Sequence, residues 1–136
     1  MDKSKHYRIL VVDNEPDIVS AFKIGLEDNG FIVDAFEDPE VALSNFKADL
    51  YDLLLLDIKM PRMNGIEFYR QMKEIDKKVK VCFITASELY YYEEITKEVF
   101  PELGVSRIIR KPISIDDLVG YLKQELGIVR SNSLAS

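Results

Sequence analysis

Hydrophobic and polar positions follow two rhythms along this chain. Short apolar runs of strand length (YRILVV, FIVDAF, DLLLL, VKVCFIT and SRII) are separated by stretches whose apolar residues recur at helical spacing. Strands are therefore expected at Tyr7–Val12, Phe31–Phe36, Asp52–Leu56, Val79–Thr85 and Ser106–Ile109, the third and fourth being the clearest. The near-continuous run Leu53, Leu54, Leu55, Leu56 marks a central parallel strand covered on both faces. Ile18, Val19, Phe22 and Leu26 share a helical face after Pro16, and Gly30 follows as a stop. Asp38-Pro39 is a cap and first-turn proline ahead of Val41, Ala42, Leu43 and Phe46. Asn64-Gly65 reads as a turn feeding another helix, and Gly65 as a backbone device. Ser114-Ile115-Asp116-Asp117 has the form of a capping box before Leu118, Tyr121, Leu122 and Leu126. Strict β-α alternation with short connections predicts an α/β fold. It is a doubly wound, five-stranded parallel sheet, (βα)5, with helices on both faces. One domain is expected over residues 1–127, with a frayed tail at 128–136 where the periodicity is lost.

Composition narrows the partners more than the fold. The chain has 136 residues, 47% of them hydrophobic, enough for one ordinary core. A net charge of −6 argues against a nucleic-acid-binding surface. The lone cysteine, Cys82, lies in an apolar run and reads as core packing in a reducing compartment. The N-terminal MDKSKHYR lacks the apolar segment of a signal peptide, and His6 reads as a solvated bystander. No stretch approaches the ~20 apolar residues of a membrane span, so a cytoplasmic protein without membrane contact is expected.

The candidate chemistry lies at the strand ends. Asp13 with Asn14, Asp57, Thr85 and Lys111 all fall on the edge of the sheet where open α/β folds bind their ligands. An acid ending a run as apolar as LLLLD is costly unless it has a partner charge. Two carboxylates about 4 Å apart repel by ~4 kcal/mol at an effective dielectric near 20. A hard divalent cation relieves this repulsion, and Mg²⁺ favours one or two carboxylates together with waters and phosphate oxygens. Lys111 adds a fixed positive charge and Thr85 a hydroxyl, which completes a set of parts suited to phosphoryl transfer.

The segments ILVVDNEPDIV, LLLLDIKMPRMNGIEF, CFITA and IIRKP, in this order and spacing, resemble the receiver domain of two-component response regulators. The resemblance covers roughly Tyr7 to Gly127 and implies a flavodoxin-like fold. It implies that Asp57 accepts a phosphoryl group from a sensor histidine kinase or phosphotransfer protein. Asp13 would hold Mg²⁺, often through a water, and the backbone carbonyl of Lys59 would supply another metal oxygen. Lys111 would pair with the phosphoryl group and Thr85 would move toward it. Pro112 occupies a position where the family commonly has a cis peptide that aims the lysine. The expected output is binding of a downstream protein or relay of the phosphoryl group. No turnover is expected beyond self-phosphorylation and slow autodephosphorylation.

Several positions depart from the family pattern. Asn14 stands where an acid usually ligates the metal, so weakened Mg²⁺ affinity is expected unless Glu15 reaches the site. Ile108 replaces an aromatic residue that often rotates inward. The span from Thr85 to Lys111 is longer than usual, with Pro101 ending a helix early. Its Tyr90-Tyr91-Tyr92 run is either a partner surface, for instance of a phosphorylation-dependent homodimer, or local packing. Lys59 and Ser87 flank the site mouth at positions that tune hydrolysis in the family. A phosphate-independent pseudo-receiver is the main alternative. A haloacid-dehalogenase-type hydrolase would need an acid where Lys59 stands, and no phosphate-binding glycine loop is present.

Overall fold

The computed structural model describes residues 6–60, 63–86 and 107–128. Five strands are found: β1 (Arg8–Val12), β2 (Ile32–Phe36), β3 (Leu53–Asp57), β4 (Lys80–Thr85) and β5 (Arg107–Arg110). Four helices lie among the described residues: α1 (Pro16–Asp28), α2 (Pro39–Ser44), α3 (Gly65–Ile75) and α4 (Ile115–Glu125). The strands form one sheet in the order β2-β1-β3-β4-β5, and every pairing is parallel. This is the expected doubly wound α/β architecture. The chain runs from β1 out to β2 and then crosses back to β3 on the other side of β1, so a crevice opens between the carboxyl ends of β1 and β3.

Strand period 2 sorts the core into two apolar layers. Leu10, Val12, Leu54, Leu56, Val81 and Phe83 pack with Ala42 of α2 and Phe68, Tyr69 and Met72 of α3. The alternate residues Ile9, Val11, Leu53, Leu55, Cys82 and Ile84 face Phe22 and Leu26 of α1 and Leu118 and Leu122 of α4. Gly25 of α1 lets that helix pack closely on the start of α4, since a Cβ there would fall 2.6–2.8 Å from Ile115 side-chain atoms. Cys82 is fully buried in this layer, and burial pushes its thiol up to about 12, as suits a packing role.

The sequence signals for helix starts are realised at atomic detail. Asp38, Asn64 and Ser114 each accept a backbone N–H one turn or less into the helix they precede. Most strand bounds shift by a residue from those expected; β3, notably, begins at Leu53 and includes Asp57. Helix α2 ends at Ser44, so Phe46 is buried just past the helix and stacks on Tyr51. Val41 of the same helix is exposed. The Tyr90–Tyr92 run, Ser87, Pro101 and residues 129–136 of the expected tail lie outside the described residues.

Candidate functional site

Register alone brings the two aspartates level. Val12 pairs with Leu56, so the next residues, Asp13 and Asp57, end adjacent parallel strands side by side. Asp57 is in turn opposite Ile84, and Thr85 follows it on β4. Thr85 pairs with Arg110, and the Lys111 N–H donates to the Thr85 carbonyl at 2.9 Å, which delivers the lysine to the same edge. The Lys111-Pro112 peptide is cis.

The site is a buried cluster of opposite charges. Asp13 is 0% and Asp57 4% exposed. The Lys111 side chain, 7% exposed, brings Nζ to 2.7 Å from Asp13 Oδ2, 3.0 Å from Glu15 Oε2 and 3.6 Å from Asp57 Oδ2. Burial above all, and then the neighbouring Asp13 charge, push the Asp57 carboxyl up to about 7. Lys111 and the Lys59 backbone N–H, which donates to Asp57, oppose that rise. Burial works against the Lys111 ammonium, but Asp13, Asp57 and Glu15 outweigh it and hold Lys111 above its ordinary value. Thr85 is buried beside this group.

Backbone geometry fixes the site from below. The Glu15 N–H donates to Asp13 Oδ1 at 2.9 Å, which orients that carboxylate with its other oxygen toward Lys111. Where α3 begins, the Gly65 N–H donates to the Ile58 carbonyl at 2.8 Å. A Cβ on Gly65 would collide with the Asp57 carbonyl oxygen and lie 3.0 Å from its carbon. The Asn64-Gly65 pair is thus a cap followed by a close approach, and its glycine is required by the strand that carries Asp57.

The donor set suits a hard cation. Asp13, Glu15 and Asp57 each offer a carboxylate oxygen, all within 4.8 Å of one another. Asp13 Oδ2 is buried and accepts no well-directed hydrogen bond despite the nearby ammonium. Oxygen ligands of this kind fit Mg²⁺. Of the residues expected at the site, Asp13, Asp57, Thr85 and Lys111 are gathered at one edge, while Asn14 and Lys59 are exposed at its rim. Ile108 is half-buried against the α2–α3 layer. Glu15 is the participant that sequence reasoning raised only conditionally; its acidic character beside Asp13-Asn14 was the available signal.

Comparison with known proteins matches this arrangement to a family. The family model described as "Response regulator receiver domain" matches residues 9–123. DltR of Streptococcus agalactiae, a transcriptional regulatory protein, is 31% identical over 130 residues, covering 93% of this chain and 56% of its own. The alkaline phosphatase synthesis transcriptional regulatory protein PhoP of Bacillus subtilis is 31% identical, with 95% of this chain and 51% of its own covered. The chain thus spans about half the length of these curated relatives. Among solved structures, a CheY-like receiver domain protein of Methanospirillum hungatei superposes with a TM-score of 0.78 at 26% identity, covering 90% of this chain and 95% of that one. TrrA of Thermotoga maritima, solved in complex with Mg²⁺-BeF, gives 0.71 at 29% identity, with coverage of 87% and 97%. With the doubly wound sheet, the strand-end acids and a match over most of its length, this chain belongs to the response regulator receiver domain family.

Proposed function

We propose that the protein is a phosphorylation-controlled switch of two-component signalling in which Asp57 accepts a phosphoryl group from a sensor histidine kinase or phosphotransfer protein. The observation that carries this reading is Asp57 itself, a buried carboxylate at a strand end with Lys111 Nζ 3.6 Å away and Asp13 alongside. In the transfer, an Asp57 oxygen forms a bond to phosphorus as the bond from phosphorus to the donor histidine nitrogen breaks; that nitrogen keeps the bonding electron pair, and the imidazole leaves neutral because its other ring nitrogen already carries a proton. Asp57 must be ionised to attack. Lys111 favours the ionised form and then faces the phosphoryl oxygens, and the Thr85 hydroxyl offers them a hydrogen bond. Asp13, Asp57, Asn14 and the Lys59 carbonyl are the groups that would hold Mg²⁺. When bound, that ion supplies the positive charge that neutralises the acids and the phosphoryl group. TrrA, solved with Mg²⁺-BeF, supports the same chemistry here by kinship.

The switch would signal by binding a downstream protein or by relaying the phosphoryl group, in the cytoplasm. Among the described residues no helix is long and apolar enough to cross a membrane. The relatives' names concern transcriptional regulation, and this chain spans about half their length. Its acidic balance therefore speaks for the surface of this domain and not for the output of a longer protein.

Intact mass after incubation with acetyl phosphate across a Mg²⁺ series tests the proposal. One phosphoryl adduct is expected, dependent on Mg²⁺ and absent in Asp57→Ala. The amide at Asn14 favours the second reading, a phosphate-independent pseudo-receiver; folded protein that takes no adduct at any Mg²⁺ concentration would establish it instead.

A further inference from the structure

We propose that Glu15 supplies the second acidic donor of the cation site, the role that the uncharged amide of Asn14 cannot fill. This rests on the Mg²⁺ reading given above. Glu15 is the N-cap of α1, yet its side chain makes no capping hydrogen bond. Instead its carboxylate leaves the helix and meets Lys111 at 3.0 Å, a residue 96 positions away in sequence. That places Glu15 within the same 4.8 Å group as Asp13 and Asp57. The adjacent Asp13 Oδ2 is buried and meets the Lys111 ammonium at 2.7 Å without a well-directed hydrogen bond, so the protein answers the charge beside Glu15 only in part.

Charge and mobility favour Glu15 over its neighbour. Three ionised carboxylates against one ammonium leave two negative charges, which a divalent cation balances; without Glu15 only one remains. Asn14 is exposed and adds no charge. The Glu15 side chain is 56% exposed, so it can turn between Lys111 and a cation without opening the core. Its backbone N–H holds Asp13 Oδ1, so one residue both orients the first acid and provides the second. With a cation bound, Glu15 would turn from Lys111 toward it, leaving the ammonium with two carboxylate neighbours in place of three.

The experiment is a Mg²⁺ titration of the full chain, followed by calorimetry and by the rise in thermal midpoint, in wild type, Glu15→Gln and Asn14→Ala. Reading the Mg²⁺ concentration at half effect separates affinity from any change in starting stability. Glu15→Gln is expected to weaken Mg²⁺ binding about tenfold or more, since a charge within a few ångströms of a divalent ion is lost. Asn14→Ala is expected to weaken binding by a clearly smaller factor, about threefold or less, as it removes a neutral amide oxygen and no charge. Wild-type affinity in Glu15→Gln, or equal losses in the two variants, would overturn the assignment while leaving the phosphorylation reading intact. Wild type that binds no Mg²⁺ at all would overturn the cation site itself, and the acetyl phosphate assay would then decide the switch separately.

Discussion

Burying Asp57 imposes a cost that the folded protein carries whenever the carboxylate ionises. Its folded value of about 7 lies above the ordinary 3.8, so the native state holds this proton more tightly than the unfolded chain does. The stability this contributes is fully present below about pH 4 and is lost as the pH rises through 7. Asp57→Asn, which cannot ionise, should therefore be more stable than wild type at pH 8 by about 2–4 kcal/mol, measured by urea unfolding without Mg²⁺. The advantage should shrink to nothing near pH 4; equal stability at both pH values would contradict the burial argument. Gly65 sets the other residue-scale limit. Gly65→Ala forces its Cβ into the Asp57 backbone, and the start of α3 must then move away from β3. A loss of about 1–3 kcal/mol is expected, together with slower acetyl phosphate labelling, because the displaced backbone is the one that positions Asp57, the proposed acceptor.

Elements were legible in the sequence wherever one signal dominated. The apolar runs identified β3 and β4, and Asp38, Asn64 and Ser114 marked helix starts that their side chains in fact cap. Phe46, grouped in the sequence with the apolar positions of α2, lies past the helix end, where a buried aromatic satisfies the same pattern. Long-range polar pairings were not legible. Asp34, the polar residue inside FIVDAF, accepts from Tyr51 at 2.7 Å and from Arg8 at 2.9 Å, joining β1, β2 and the approach to β3. Nothing local announces such a triad, and the Glu15–Lys111 pair was hidden for the same reason. Capping makes the element-scale prediction. Ser114→Ala leaves the Asp117 N–H without its 3.1 Å acceptor and should destabilise the protein by about 1 kcal/mol in thermal unfolding. The site should be little affected, since Ser114 is exposed at the start of α4 and is not among the groups around Lys111.

At the scale of the molecule, the sheet is a shared wall between two apolar layers, and the acids sit at its end where both layers meet solvent. Adjacent residues of one strand serve opposite layers, as Leu54 and Leu55 do, so neither layer can lose its order while the other keeps its strands. Cooperative unfolding of both layers follows. Phe22 belongs to the α1–α4 layer and Phe68 to the α2–α3 layer, on opposite faces of the sheet. Phe22→Leu and Phe68→Leu should each cost about 1 kcal/mol, and each should shift one common transition. Far-ultraviolet dichroism would follow the backbone and tyrosine fluorescence the packing, and the two midpoints should coincide in both variants. A variant in which one probe melts ahead of the other would mean that the layers unfold separately. The strand ends carrying Asp13 and Asp57 would then answer to one helical layer alone, and a change at the acceptor could reach only that face. If the transitions coincide, the crevice is anchored to both layers at once, and the proposed phosphorylation of Asp57 could bias either face through the strand it ends.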